Sequence, residues 1–552
     1  MVVVLFVPFI LIRGLIQVLE GATLLVPTFA VKMVIEFVPH FIEFEIIFTR
    51  LIWQTGPICQ ISKATKEVIF VTIFEISQEH HCGDREVPPA HPTPFAVQSW
   101  KSISYYRISG LKIGSIDAYE NALRLLETRR RKARPTTPAP TTAQDSPTPS
   151  GAPTVKGIPS LVGMKEWLQT LGHSENDVDQ LNIIHVTGTK GKGSTCAFTR
   201  SFLHAHGLRT GFPKRIGLYT SPDLQCIRER IQIDNRPITE DLFTQYFFEV
   251  WETLASPKQP EYTRQPRYLQ LLLLLAFHTF IKEGVDAAII ETHHGGEYCA
   301  TNVVRKPIVT GITSLGLDHV AQLGPTVEDI AWHKSGIFKP GAAAFSVVQD
   351  PGPAEVLQKR AAEKNTTLTF VSSSDTLPAN NRVLSVPVQR LNCSLALELA
   401  STFLQANDPE QVLSSDDIAK GIDNFSWLGR FETIKSGNSQ WYLDGAHNPL
   451  SLEQAAKWFA NNVNTTESPK HRVLIFSHFS EERDGVDLLT SLAHALSKNN
   501  AVPDHVIFTT YQEREDGSTR IVFLPDKTLK VPETPFPDLC STYSSLWKEF
   551  HT

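Results

Sequence analysis

The stretch LNIIHVTGTKGKGSTCAFTRSFLHAHG, starting at Leu181, runs an apolar segment into three glycines and two lysines between Gly188 and Ser194, and then into a helical pattern. No other feature constrains the fold as strongly. Successive glycine amides and a helix N-terminus gather anionic oxygens, and a lysine adds a point charge that needs no planar geometry. A strand in front and a helix behind is the context in which a glycine-rich loop becomes a phosphate cradle. The spacing departs from the GxxxxGK[ST] pattern: Val186 stands at its first glycine, and Gly193 follows Lys192 in place of a hydroxyl residue.

Further apolar runs recur along the chain. They are VDAAIIE from Val285, PIVTGITSL from Pro307, WYLD from Trp441, RVLIFSHF from Arg472 and HVIFTTY from His505, with helical stretches such as YLQLLLLLAFHTFIKEG between them. Strands that are apolar throughout and alternate with helices predict an α/β fold whose parallel sheet is covered on both faces. In such sheets ligands collect beyond the carboxyl ends of the strands. A chain of 552 residues is long enough for two or three domains.

Charge and cysteine usage narrow the partners. The 52 basic and 58 acidic residues leave a formal charge of −6, which excludes a general nucleic-acid surface while permitting a local basic pocket. The cysteines (Cys59, Cys82, Cys196, Cys226, Cys299, Cys393 and Cys540) are scattered and form no CxxC pair. Neither a zinc ribbon nor a secreted disulfide framework fits them, and reduced thiols in an intracellular compartment do.

The first fifty residues are apolar but broken by Arg13, Glu20, Lys32, Glu36, Glu43 and Glu45. No uninterrupted run reaches the ~18 residues of a membrane span, and the acidic residues argue against a mitochondrial transit peptide. Residues 1–103 therefore read as an atypical apolar extension, either a misassigned start exon or an interfacial segment in contact with a membrane. No methionine lies between Met33 and Met164, so a shorter product starting near residue 100 would need a different upstream exon. From Ser115, SIDAYENALRLLETRRRK predicts a helix ending in basic residues. Residues 129–157 are rich in Pro and Thr and read as a disordered surface loop. SLVGMKEWLQTLG then reads as a short amphipathic helix.

Several polar residues sit where strands should end. Glu291 closes VDAAIIE, where a carboxylate can help hold Mg²⁺, a hard ion that prefers oxygen ligands; alone it reads as an exposed strand end. Asp318 and His319 follow the next strand in the same way. TSPDLQCIRERIQID supplies Ser221, and its Arg228, Glu229 and Arg230 read by themselves as a solvated charged face. Lys334 in WHKSGIFKPG and Arg430 in WLGRFE read by default as surface cations. Asp444, His447 and Asn448 in DGAHNP stand at a strand end of a second sheet, and alone suggest an Asx turn with a proline stop.

Taken in order, GTKGKGS, YTSPDL with RERIQI, ETHHGGEYCATNVV, LDHVAQLGPTVEDIAWHKSGIFKPG, QRLNCSLAL, WLGRFE, LDGAHNP and RDG resemble the eukaryotic folylpolyglutamate synthase family of Mur-ligase-like, ATP-dependent amide-forming enzymes, from Ser115 to about Asp516. The resemblance implies a P-loop-type ATPase domain over 104–432 and a smaller Rossmann-like domain over 433–552, with substrates bound between them. It implies ATP phosphates on Gly188, Thr189, Lys190, Gly191, Lys192, Gly193 and Ser194. Asn392, Arg430, Asp444 and His447 match positions that close over the nucleotide. Ser221, Glu291 and His319 match magnesium positions, and Lys334 matches a lysine that is carbamylated in related enzymes and so able to hold a second Mg²⁺ or polarise its water. A monovalent cation such as K⁺ is a further option.

The implied reaction adds L-glutamate to the γ-carboxylate of tetrahydrofolate, or of its polyglutamates, through an acyl phosphate. The base that deprotonates the amine is not identified; His319 and the Lys334 site are the metal-linked candidates. A monomer acting on small molecules, in the cytoplasm, the mitochondrion or both, is the expectation that follows.

Departures from the pattern fall on the folate side. His293 and His294 replace a glycine and an apolar residue, Cys299 replaces an aspartate, Asp223 a histidine, and Val388 a histidine before Gln389. The chain also ends without the Gly-containing strand–turn–helix that completes the second sheet in similar proteins, which predicts an unpaired strand edge. Three alternatives stay open: a dihydrofolate synthase acting on dihydropteroate, a degenerate nucleotide-binding paralogue, and a membrane-anchored binding protein.

Overall fold

A computed structural model of the chain describes residues 2–6, 30–37, 40–47, 50–51, 68–69, 116–130, 158–255, 264–379, 381–436, 439–464, 471–476, 485–509 and 547. Within the first hundred residues it holds β1 (Val2–Phe6), β2 (Ala30–Phe37), β3 (His40–Ile47), β4 (Arg50–Leu51) and β5 (Val68–Ile69). There follow β6 (Ile183–Thr187), β7 (Ile216–Tyr219), β8 (Ile231–Ile233), β9 (Arg236–Pro237), β10 (Ala287–Glu291), β11 (Val309–Ile312), β12 (Ala343–Val347) and β13 (Leu368–Val371). The last four are β14 (Glu432–Ser436), β15 (Ser439–Asp444), β16 (Arg472–Phe476) and β17 (His505–Thr509).

The larger sheet runs in the order β13-β12-β11-β6-β10-β7-β8-β9. It is parallel from β13 to β7, with β8 and β9 added antiparallel at one edge. The apolar runs predicted at Leu181, Val285 and Pro307 form its three adjacent central strands β6, β10 and β11. Neighbouring residues serve opposite faces, as the pleat requires. Ile183, Ala288 and Ile290 join a core with the helices Ile116–Glu127, Met164–Thr170, Glu240–Ala255 and Tyr268–Lys282. Ile184, Val186, Ala287 and Ile289 join another with the helices Lys192–Thr210 and Pro387–Asn407. Both faces are thus covered, which is why these strands carry no polar alternation.

The second sheet has the order β14-β15-β1-β16-β17-β2-β3. Its core gathers Tyr442, Leu474, Phe476 and Phe508 against the helices Pro449–Val463 and Gly485–Lys498. The predicted bare edge is absent beside β17, because β2 pairs with it antiparallel, Ile507 opposite Ile35 and Thr509 opposite Met33. β1 lies parallel between β15 and β16. Apolar segments of the amino-terminal extension therefore enter this sheet.

Among the described residues, no helix is long and apolar enough to cross a membrane. Most of the Pro/Thr-rich stretch lies outside the described residues. At its start, however, Arg129 and Arg130 stack over Trp251 and Tyr268, 4.4 and 3.9 Å from the ring centroids, and so belong to the packed body.

Candidate active site

β6 delivers the glycine loop, and its hydrogen bonds fix the loop against the neighbouring strand ends. The amides of Thr189 and Lys190 donate to the Ser314 carbonyl at 2.9 and 3.2 Å. Thr187 Oγ1 donates to the Gly295 carbonyl at 2.7 Å, and Thr292 Oγ1 to Thr187 Oγ1 at 2.9 Å. Gly191, at φ 89°, caps the helix Lys192–Thr210. The first-turn amides of Lys192, Gly193 and Ser194 lie ahead of the intrahelical ladder and are the donors a phosphate can use. A Cβ on Gly191 would overlap Asn392 Oδ1, and one on Gly193 would meet the Trp427 indole 2.9 Å away.

Three lysines serve this loop differently. Lys192 Nζ donates to the Gly188 carbonyl at 3.0 Å, and Lys334 Nζ donates to the same oxygen at 2.7 Å. Lys334 is only 3 % exposed, so its reading as a surface cation is overturned. Burial, and then the nearby Lys192 charge, push its amine well below the ordinary lysine range. Lys190 points across the cleft instead, 3.0 Å from His447 Nε2 and 3.4 Å from Asp318 Oδ2.

Glu291 ends β10 and is buried. Burial raises its carboxyl, opposed by Lys192, by the Thr220 hydroxyl and Ser221 amide that donate to it, and by Arg430. Ser221 and Glu291 are therefore brought together, with Thr220 as an unforeseen neighbour. The His319 ring lies beside His294, centroids 5.6 Å apart. A buried carboxylate with hydroxyls around it is a hard oxygen set that fits Mg²⁺. Among the described residues, no three His, Cys, Asp or Glu side chains converge as a metal group by themselves.

The charged run after Ser221 is not a solvated face. Glu229 turns inward, and its carboxylate accepts from the amides of Leu224, Gln225 and Cys226 at 2.6, 2.9 and 3.2 Å. Arg230 Nε donates to Asp223 Oδ1 at 2.7 Å, so the departure at Asp223 has a partner in place. His293 has one too, with Nε2 2.6 Å from the Tyr219 hydroxyl. Burial, followed by Arg230, lowers that imidazole to about 3. Cys299 Sγ accepts from Thr301 Oγ1 at 3.2 Å.

The second sheet supplies the opposite wall. Asp444 ends β15, and Phe431 N donates to its Oδ2 at 2.8 Å. Burial raises this carboxyl, and Arg430 opposes the rise. Burial likewise lowers Arg430, opposed by the charges of Asp444 and Glu291, and its guanidinium donates to the Gly429 carbonyl at 3.1 Å. DGAHNP is not a turn with a proline stop. Asn448 caps the helix Pro449–Val463, its side chain accepting from Ser451 N at 3.0 Å, and Pro449 takes the first helical position.

No protein-family model matches the chain. Folylpolyglutamate synthase of Neurospora crassa is 43% identical over 364 residues, covering 64% of this chain and 68% of that one. The folylpolyglutamate synthase of Saccharomyces cerevisiae is 41% identical over 375 residues, 65% of this chain and 67% of that one. Among solved structures, the apo form of the L. casei folylpolyglutamate synthase superposes with a TM-score of 0.55 at 23% identity, covering 70% of this chain and 87% of that one. That likeness is one of fold.

Proposed function

The chain belongs to the folylpolyglutamate synthase family, and on that premise we propose how its own residues add L-glutamate to the γ-carboxylate of tetrahydrofolate, or of its polyglutamates, with conversion of ATP to ADP and phosphate. The observation that carries this reading is the meeting of Lys192 and Lys334 on the Gly188 carbonyl, at 3.0 and 2.7 Å, ahead of the first-turn amides of the phosphate helix.

A carboxylate oxygen of the folate attacks the γ-phosphorus, ADP leaves, and the acyl phosphate is then attacked by the glutamate amine with loss of phosphate. Such transfers need positioning and charge neutralisation more than covalent help. The amides of Lys192, Gly193 and Ser194 orient the phosphates, and Lys192 offsets their charge. Arg430, whose charge is felt by both Asp444 and Glu291, adds to the neutralisation. Asn392 lies against Gly191 at the helix start, where a Cβ would overlap its Oδ1. Ser221, Glu291 and His319 would hold Mg²⁺, which supplies charge neutralisation at the transferring phosphoryl group. Burial lowers the Lys334 amine, which favours the neutral form that reacts with CO₂, and carbamylation would turn this side chain into an acidic group.

His293 and Asp223 are absorbed by Tyr219 and Arg230 without disturbing the nucleotide cradle, which supports turnover over a degenerate paralogue. The test is incorporation of radiolabelled glutamate into tetrahydrofolate by the full chain with ATP and Mg²⁺, with dihydropteroate as the parallel acceptor. Incorporation into tetrahydrofolate is expected; none, or incorporation into dihydropteroate alone, overturns the reading.

A further inference from the structure

Of the lysines in the glycine loop, Lys190 is the one whose side chain leaves the loop. Its ammonium reaches Asp318, beyond β11 of the first sheet, at 3.4 Å, and His447, beyond β15 of the second, at 3.0 Å. His447 Nδ1 lies 2.8 Å from the Gly445 carbonyl. A carbonyl can only accept, so the hydrogen sits on Nδ1 and Nε2 presents a lone pair to the Lys190 ammonium, which can only donate. The side chains of Lys190 and Asp318 are 22% and 13% exposed, so water screens this pair less than it would a surface pair. The backbone of the same residue is fixed by the 3.2 Å bond from its amide to the Ser314 carbonyl. One residue of the phosphate loop is thus tied by its amide to the first sheet and by its side chain to the second.

We propose that Lys190 is a positioning residue that couples closure of the second sheet to the phosphate loop, a role separate from the charge neutralisation by Lys192. The proposal rests on the reading of the cleft as a nucleotide site. It gives Lys190 work of its own beside Lys192, the lysine that stands at the GK of the phosphate-loop pattern. It also gives His447 a function that requires its neutral ring: a second proton would set two cations face to face.

The test uses the full chain and does not depend on turnover. Amide hydrogen exchange is followed without nucleotide for wild type, Lys190→Ala, His447→Ala and the double variant, at the loops 314–319 and 445–448. Losing one charge-assisted hydrogen bond should weaken protection of 445–448 by about 10- to 100-fold. The double variant should lose no more than either single variant, because the contact is shared. Lys190→Arg, which keeps charge and reach, should restore most of the protection and keeps the test open if Lys190→Ala does not fold. Unchanged exchange at 445–448, or losses that add in the double variant, would overturn the proposal. If exchange behaves as expected but the wild type incorporates no glutamate, the latch stands and the reaction assignment falls.

Discussion

Lys334 and Lys192 donate to a single carbonyl oxygen, and burial, followed by the nearby Lys192 charge, lowers the Lys334 amine. A lysine whose folded value is lowered binds fewer protons than it does unfolded, so stability climbs with pH towards the unfolded value near ~10.4. Lys334→Met removes that slope. The variant should be at least as stable as wild type in urea at pH 7, while its glutamate incorporation falls by about 100-fold or more, the scale of losing one preorganised electrostatic contact. An unstable variant, or one that keeps its activity, would contradict the account. Gly191 gives a second residue-scale expectation. At φ 89° and packed against Asn392, Gly191→Ala should lose nucleotide binding measured by calorimetry, whereas Gly284→Ala, at φ 63° with open space around it, carries only the backbone strain. Sequence reasoning reached Lys334 only through resemblance. In WHKSGIFKPG nothing in composition or spacing marks that lysine as buried, since its cover comes from Gly188 and Gly296, far away in the chain.

Mainly apolar elements were legible in the sequence: β6, β10, β11, β16 and β17 lie within the runs singled out, and β15 extends its run WYLD by two residues, to Ser439. The short strands β7, β8 and β9 went unseen, because pieces of two to four residues give too little periodicity to read. The glycine loop was legible for a further reason, namely that its strand and helix neighbours are local in sequence. Helix ends carry energetics of their own. The helix Ser415–Asp423 begins with a capping box of Ser414 and Asp417, and Asp417 also accepts from Arg209 at the end of the phosphate helix, at 3.0 and 2.6 Å. Burial alone would raise the Asp417 carboxyl; Arg209 and Ser414 overcome it and hold the group at about 2. A depressed carboxyl contributes its full stability above the unfolded value near ~3.9, and loses it as pH falls through the folded value. Asp417→Asn should therefore cost about 2 kcal/mol by urea unfolding at pH 7, with the difference from wild type closing between about pH 4 and pH 2. A gap that persists at pH 2 would locate the effect in packing instead of charge.

At the scale of the whole molecule, the residues that sequence could not join are those on opposite walls of the cleft. Lys190 and His447 are 257 positions apart, and only the folding of two separate sheets brings them within a hydrogen bond. The connection between the sheets is also built into a core. Val386, just before the helix Pro387–Asn407, is buried beneath the second sheet, while Cys393, Leu395, Leu399 and Phe403 of the same helix are buried beneath the first. Melting is where this anchorage shows. A helix rooted in two cores transmits disorder from one to the other, so a calorimetric trace of the wild type should show a single endotherm, or two that overlap closely. Val386→Ala loosens one root and should split the trace, lowering the second-sheet transition while the first stays in place. The heat capacity of this protein would then register one methyl-bearing side chain as the difference between one cooperative body and two.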